Sequence, residues 1–187
     1  MGKLYKVILG VLLLSMLLLS SCTKSSTGEP SEKSSDPEVS AEPTVVRITF
    51  EGTDLDGNAV SSDIFAQSKL TMVNVWATYC GPCLSEMPYL GELAAEYSPE
   101  EFQIIGIVSD VLEGKDQTLA ESLVQQTGAN YTHLLLNESI YNALLMDVTV
   151  VPTTFFLDQN GVMIDTVLGA RKKLAWEETI NGLLAKQ

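Results

Sequence analysis

The sequence predicts an α/β sandwich built on a mixed β-sheet, with a β-hairpin at the start of the folded part. Short apolar segments rich in β-branched and aromatic residues alternate with segments whose apolar residues recur at helical spacing. The turn Asp158–Gly161 joins the last two predicted strands, which makes those strands antiparallel neighbours. Strands that alternate with helices and then end in a hairpin and a helix indicate helices packed on a mixed sheet.

The N-terminal hairpin is predicted from alternation followed by turn residues. The folded domain is expected to begin at Thr44, and Val46, Ile48 and Phe50 then alternate with more polar residues. This is the period of a half-buried strand. Turn-forming residues follow at Asp54–Asn58, and the apolar pattern resumes beyond them, so the segment is expected to fold back on itself.

The rest of the domain is predicted as strands alternating with helices. Leu70–Ala77 is a largely apolar run that suits a central strand, and Phe102–Val108 is a second one. Apolar residues at helical spacing extend from Cys83 to Tyr97, and a helix around Leu119–Val124 should stop at Gly128. The other predicted elements are a strand at 131–136, a short helix at 139–145, strands at 153–157 and 162–168, and a last helix at 176–184.

The charge of the chain argues against a nucleic-acid partner. The net charge is −13, and it becomes more negative if Lys3 and Lys6 are cleaved off. Phosphate binding needs a basic face, and electrostatic binding to anionic lipids needs clustered lysines and arginines. Attachment to a membrane would therefore have to come from something other than charge.

The first 22 residues resemble the export signal of a bacterial lipoprotein. Lys3 and Lys6 are followed by the apolar run Val7–Leu19, which is short for a membrane span. The run ends in Leu-Ser-Ser-Cys22, which resembles a lipobox. The resemblance implies that residues 1–21 are a signal peptide and that Cys22 becomes an acylated N-terminal residue. The alternative is an uncleaved apolar helix that contains a cysteine.

Residues 22–43 are predicted to be the lipidated cysteine and a flexible linker, ahead of a folded domain at 44–187. Thr23–Pro43 consists mainly of small, polar and charged residues with almost nothing to bury. A coil of this length would reach about 25 Å on average. The segment is therefore interpreted as a tether rather than as a partner-binding tail.

The segment Trp76–Cys83, WATYCGPC, carries the candidate chemistry. It follows a predicted buried strand and opens a predicted helix. Cys80 would lie at the helix N-terminus, where free N–H groups and the helix dipole favour a thiolate of lowered pKa. Pro82 suits a first helical turn, and Cys83 would face Cys80 from within the helix. A redox pair is favoured over a structural disulfide or half of a metal site.

Pro152 is the second candidate element of the site. It precedes a predicted buried strand, where a proline cannot donate to the sheet. A cis bond between Val151 and Pro152 would account for it. The proline would then press against the disulfide, and the Val151 backbone would stay free to pair with an extended substrate.

Several signatures together resemble the thioredoxin superfamily and, within it, the TlpA/ResA branch of membrane-tethered oxidoreductases. The resemblance covers Val45–Leu184. The signatures are WATYCGPC at 76–83, VPTTFFLDQNG at 151–161, DLDG at 54–57, Asn74 within VNVWAT, and the spacing of Cys80, Cys83, Glu86 and Pro88. The resemblance implies a thioredoxin-like three-layer sandwich.

The same resemblance implies roles for individual residues. Cys80 is expected to attack the substrate disulfide and Cys83 to resolve the mixed disulfide. Pro152 is the expected cis-proline and Trp76 is expected to pack beside the site. The expected substrate-binding residues are Tyr79, Val151 and Pro152. No cofactor is expected beyond the Cys80–Cys83 disulfide, and no metal.

The sequence departs from thioredoxins at one buried position. Thioredoxins carry an aspartate six residues before the first cysteine, and this chain carries Asn74. Glu86 matches an acid of ResA-like proteins and could take over part of that role. The alternative for Glu86 is a solvated glutamate on the helix surface. The intervening Gly81-Pro82 is similar to that of reducing thioredoxins and favours a reductant.

The predicted function is reduction of disulfides in exported proteins outside the cytoplasm, on the membrane. The resemblance implies a CcdA/DsbD-like membrane protein as electron donor, and apocytochrome c or methionine sulfoxide reductase among possible clients. One alternative is an oxidase of the same fold. A copper-binding chaperone that uses His133 as a third ligand is another, although a structural or surface histidine is preferred. A peroxidase is disfavoured because no threonine–cysteine motif is present.

Overall fold

The computed structural model describes residues 46–187. The predicted signal peptide, Cys22 and the linker lie outside these residues. The strands are β1 (Glu51–Thr53), β2 (Ala59–Ser61), β3 (Leu70–Trp76), β4 (Phe102–Leu112), β5 (Thr132–Leu136), β6 (Thr153–Asp158) and β7 (Met163–Leu168). The helices are α1 (Gly81–Glu96), α2 (Thr118–Thr127), α3 (Glu138–Ile140) and α4 (Lys173–Leu184), with a 3-10 turn at Ser62–Gln67 and a π-helical turn at Tyr141–Leu145.

The main sheet has five strands in the order β5-β4-β3-β6-β7. β3 pairs in parallel with β4, and β4 with β5, whereas β6 runs antiparallel to β3 and β7 antiparallel to β6. Every residue of β3 is buried, as expected for an apolar strand in the middle of a sheet. The predicted mixed sheet with a central Leu70–Ala77 strand is confirmed.

Two apolar cores cover the two faces of this sheet. Alternate residues of β3 point to opposite faces, because side chains alternate along a strand. Val73 and Val75 pack with Phe50, Phe65 and Leu144 on one face. On the other face the sheet packs against α1, α2 and α4, through residues that include Leu90, Met87, Ala120 and Trp176. The arrangement is the predicted three-layer sandwich.

The N-terminal hairpin forms, but its first strand, β1, is shorter than predicted. β1 and β2 pair antiparallel, and the turn between them is closed by the Asp54 carboxylate, which accepts the N–H groups of Asp56 and Asn58. The prediction of a strand over Val46–Phe50 is wrong. Only one bridge forms there, because this segment meets the β6–β7 turn through the Ile48 N–H, and Val46 is exposed.

Candidate active site

The two cysteines lie at the junction between β3 and α1. Cys80 is the N-cap of α1, and its Sγ accepts the N–H of Cys83 at 3.2 Å. The sulfurs form a disulfide, with the Cα atoms 5.3 Å apart. Cys80 is 6% exposed and Cys83 is fully buried. A reacting molecule can therefore reach the first sulfur and not the second, and the helix N-terminus directs N–H groups at that first sulfur.

The turn that carries Cys80 is held by the end of β4. The Cys80 N–H donates to the Ala77 carbonyl at 3.0 Å. The Ser109 hydroxyl donates to the Trp76 carbonyl at 2.9 Å, and the Asp110 carboxylate accepts the Thr78 N–H at 3.0 and 3.1 Å. Ser109 and Asp110 were not predicted as site residues, because the sequence predicts a strand that ends at Val108 and the extension of β4 beyond it has no motif of its own.

The Val151–Pro152 peptide bond is cis, as predicted. Pro152 is buried, and its carbonyl accepts the Gly169 N–H at 2.9 Å. Val151 packs against the apolar cluster that contains both cysteines. Within residues 46–187, the N–H and C=O of Val151 bond to no other backbone group. A cavity of about 240 Å³ joins Val151 to the exposed Tyr79, so these predicted substrate-binding residues share one groove.

Trp76 lies beneath the active-site turn and is tied to His133. Trp76 is fully buried in the cluster that holds Cys80 and Cys83. Its Nε1–H donates to His133 Nδ1 at 3.1 Å, and His133 Nε2 donates to the Ala129 carbonyl at 2.9 Å. His133 is thus a buried structural histidine with both ring nitrogens engaged. This arrangement contradicts a role for His133 as a copper ligand.

Acid is expected to destabilise the fold through His133. Burial lowers the pKa of His133 from 6.5 to about 4, so the unfolded chain takes up a proton at a higher pH than the folded one. The stability that depends on neutral His133 is complete above pH 6.5 and is lost as the pH falls toward 4. The expected loss is about 3 kcal/mol. Denaturant unfolding at several pH values measures it.

The control for this effect is His133→Gln, which can accept from Trp76 and donate to Ala129 but does not titrate. The free energy of unfolding of wild type relative to this variant should fall as the pH falls from neutral toward 4. A difference that stays constant from neutral pH to pH 4 would show that His133 carries no such linkage.

Glu86 is buried in α1 and is surrounded by hydrogen-bond donors. It is 1% exposed, so the solvated alternative for this residue is wrong. Its Oε1 accepts from Asn74 Nδ2 at 3.0 Å, and its Oε2 accepts from the Arg171 N–H at 2.9 Å and from Trp176 Nε1 at 3.3 Å. Burial raises the pKa of Glu86 above its ordinary value, and these donors oppose the rise.

Asn74 connects Glu86 to β6. Its Nδ2 also donates to Thr154 Oγ1 at 3.0 Å, and Asn74 and Thr154 are register partners on neighbouring strands. Two buried polar atoms have no partner among residues 46–187, Asn74 Oδ1 and the Tyr131 hydroxyl. Arg171 and Trp176 were not identified from the sequence, since they lie far along the chain from Glu86 and belong to no motif. Thr154 lies within the VPTTFFLDQNG signature, but nothing in that signature indicates a contact with Asn74.

No cluster of three or more histidine, cysteine, aspartate or glutamate side chains is placed to hold a metal ion among residues 46–187. No helix in the same range has the length and apolar character needed to span a bilayer.

A family model described as Redoxin matches residues 36–184. The chain belongs to the Redoxin family. Among curated relatives, the thiol:disulfide interchange protein DsbE of Escherichia coli K12 is 29% identical over 142 residues, covering 76% of this chain and 72% of the relative. The thiol-disulfide oxidoreductase ResA of Bacillus anthracis is 28% identical over 138 residues, covering 73% of each.

Solved structures of this Redoxin chain's relatives confirm the fold. A thioredoxin-family thiol:disulfide interchange protein from Chlorobium tepidum superposes with a TM-score of 0.64 at 22% identity, covering 74% of this chain and 94% of that one. A secreted disulfide oxidoreductase of Mycobacterium tuberculosis superposes with a TM-score of 0.58 at 21% identity, covering 71% of this chain and 95% of that one. The predicted thioredoxin-like fold is thereby confirmed.

Family membership and relatives agree with the predicted chemistry. The DsbE and ResA relatives and the Redoxin match confirm that the chain is a thiol–disulfide oxidoreductase of the TlpA/ResA-like thioredoxin type. The Cys80–Cys83 disulfide is the group in the described structure that fits this activity.

Proposed function

We propose that this oxidoreductase reduces disulfides of exported proteins through the Cys80–Cys83 dithiol. The observation that carries the proposal is the pair itself. A reachable sulfur caps α1, and a fully buried one lies one turn further in. This asymmetry supports attack by Cys80 and resolution by Cys83.

The reaction takes place in two exchange steps. The Cys80 thiolate attacks one sulfur of the substrate disulfide, and the other substrate sulfur leaves as a thiolate that takes a proton from water. The Cys83 thiolate then attacks Cys80 Sγ, which forms the Cys80–Cys83 disulfide and releases the second substrate sulfur. Two electrons pass from the dithiol to the substrate, so the oxidised protein must be reduced again by a donor.

Glu86 is the proposed auxiliary group for the second step. It follows Cys83 by three residues, so both side chains lie on the same face of α1. Cys83 must lose its proton before it attacks, and no water reaches a fully buried thiol directly. A buried carboxylate whose pKa is raised by burial is suited to accept that proton.

Glu86→Gln is expected to slow resolution of the mixed disulfide by about a hundredfold or more at neutral pH. Because the pKa of Glu86 is raised in the fold, its linked stability is complete below its unfolded pKa and is lost as the pH rises through the folded pKa. The free energy of unfolding of wild type relative to this variant should therefore fall as the pH rises through the pKa of Glu86 in the folded protein. Rapid-mixing kinetics and denaturant unfolding measure the two effects.

The matched control is Glu92→Gln, on the exposed side of the same helix. It should change neither the resolution rate nor the pH dependence of stability by a comparable amount. Equal kinetics for Glu86→Gln and wild type across the pH range would remove Glu86 from the mechanism.

Tyr79, Val151 and Pro152 are proposed to bind the substrate. The free N–H and C=O of Val151 could pair with an extended peptide, and the groove of about 240 Å³ between Tyr79 and Val151 could accept a side chain beside the substrate cysteine. Trp76 supports the site from below through its bond to His133.

We also propose that the protein lies outside the cytoplasm, anchored to the membrane by acylated Cys22. The lipobox-like Leu-Ser-Ser-Cys22 supports it, as does a relative in structure that is described as secreted. A CcdA/DsbD-like membrane protein is the proposed electron donor. Cys22→Ala should move the protein from the membrane fraction to the soluble fraction of cells, and an unchanged distribution would contradict the anchor.

A trapping experiment tests the function. Cys83→Ala should accumulate mixed disulfides with exported proteins in cells, and Cys80→Ala combined with Cys83→Ala should accumulate none. The reduction potential decides the direction, since a value close to that of thioredoxin supports a reductant and one close to that of DsbA supports the oxidase alternative.

A further inference from the structure

The carboxyl of Glu86 is satisfied in only one of its two protonation states. Its three partners are the Asn74 Nδ2, the Arg171 backbone N–H and the Trp176 indole N–H, and all three donate. A carboxylate accepts every one of them. A carboxylic acid carries a hydrogen that needs an acceptor, and none of the partners that Glu86 has among residues 46–187 is placed to accept it. Burial makes an unmatched hydrogen of this kind costly.

Among these neighbours, only the Asn74 amide can change from donor to acceptor. The Arg171 N–H and the Trp176 indole have no accepting atom, whereas an amide presents Nδ2 at one end and Oδ1 at the other. The Asn74 Oδ1 is buried and has no partner among residues 46–187. The second contact of the amide, Thr154 Oγ1, is a hydroxyl that can donate as readily as it accepts.

We propose that the Asn74 side-chain amide turns over when Glu86 gains or loses its proton, which makes Asn74 a positioning residue for proton exchange at Glu86. With Glu86 ionised, Nδ2 donates to Oε1 and to Thr154. With Glu86 protonated, Oδ1 takes that place and accepts the Glu86 O–H and the Thr154 O–H, while Nδ2 gives up both of its acceptors and moves to the buried position that Oδ1 held. The inference rests on the proposed role of Glu86, in which Cys83 passes its proton to the carboxylate. No electron moves in the amide.

The charged and titratable groups around Glu86 are compatible with this change. From the β7–α4 loop, Arg171 lowers the pKa of Glu86, and burial raises it. Tyr131 comes directly before β5. Its buried phenol stays protonated, because burial and the Glu86 charge both raise its pKa. Arg171 has no accepting atom, and the Tyr131 hydroxyl makes no hydrogen bond to Glu86, which leaves the amide of Asn74 to accept the Glu86 hydrogen.

The identity of residue 74 fits the same reasoning. An aspartate there could accept the hydrogen of a protonated Glu86, but it could not donate to an ionised one, and the two carboxylates would repel each other. An apolar residue could do neither. Asparagine alone among these serves both states of the neighbouring carboxyl.

The test is nuclear magnetic resonance on the isotope-labelled full chain in its oxidised form, where the paired cysteines do not titrate. Above the midpoint of the Glu86 carboxyl titration, the Asn74 side-chain NH2 protons should show cross-relaxation to Thr154. Below it, these signals should weaken and signals to Gly106, its register partner on β4, should appear. The two changes should share one midpoint.

Two results would overturn the inference. One is a Glu86 carboxyl that titrates while the Asn74 signals stay with Thr154. The other is a Glu86→Gln variant in which the Asn74 signals still change with pH, since another group would then drive them. Reduction of a peptide disulfide by the same wild-type preparation is measured separately. A protein that reduces the peptide disulfide but keeps the Asn74 amide in one orientation would contradict the inference without contradicting the proposed function.

Discussion

Cys80→Ser is expected to lower the rate of electron transfer to a peptide disulfide by about a thousandfold or more. Cys80 is the sulfur that a substrate can reach, and Cys83 is fully buried, so the second cysteine cannot replace the first. A serine hydroxyl is not ionised at neutral pH and does not attack sulfur. Single-turnover mixing of the reduced protein with a fluorescent peptide disulfide measures the rate.

Cys83→Ala is the matched control for this loss. It keeps the attacking sulfur and its place at the N-terminus of α1, so it should form the mixed disulfide at close to the wild-type rate and then fail to release it. Retention of single-turnover reduction by Cys80→Ser, or absence of a mixed disulfide with Cys83→Ala, would contradict the assignment of the two roles.

Gly91→Ala is expected to destabilise the fold by about 3 kcal/mol or more. A Cβ built at Gly91 would overlap the backbone carbonyl of Gly128, which follows α2. Gly128 has a φ of 66° and terminates α2, so the backbone there has little freedom to yield. α1 would have to move away from α2, and α1 carries both cysteines. Denaturant unfolding measures the loss.

Gly182→Ala provides the opposite control. It also exchanges glycine for alanine within a helix, α4, but nothing lies within 4 Å of its Cβ position. Alanine is favoured over glycine inside a helix, so this variant should gain up to about 1 kcal/mol. Equal effects of the two substitutions would show that helix propensity, not the contact with Gly128, governs position 91.

The active-site turn could be predicted because its signals are local. Cys80, Pro82 and Cys83 lie within one helical turn, and their order along the chain determines which sulfur caps the helix. The cis bond at Val151–Pro152 was likewise indicated by a proline next to a buried strand. In these places the physical cause and the residue that shows it are neighbours in sequence.

Other features could not be predicted, because their causes come from distant parts of the chain. Glu86 could be solvated or buried on the pattern of α1 alone. It is buried because Arg171 and Trp176, which lie 85 and 90 residues away in sequence, cover its Oε2 atom and donate hydrogen bonds to it. At Val46 a local pattern was misleading. Its alternation with Ile48 predicted a strand, but the segment forms only one isolated bridge to another strand.

Taken alone, the sequence determined the order of strands and helices, the mixed sheet, and the sulfur chemistry at Cys80 and Cys83, since each depends on residues a few positions apart. Tertiary structure alone decided the protonation environment. The packing of α1 between β3 and α4 removed water from Glu86 and supplied its donors, and the sheet register placed His133 within reach of Trp76. Desolvation is set by all the neighbours a side chain acquires on folding, and a linear pattern does not contain them.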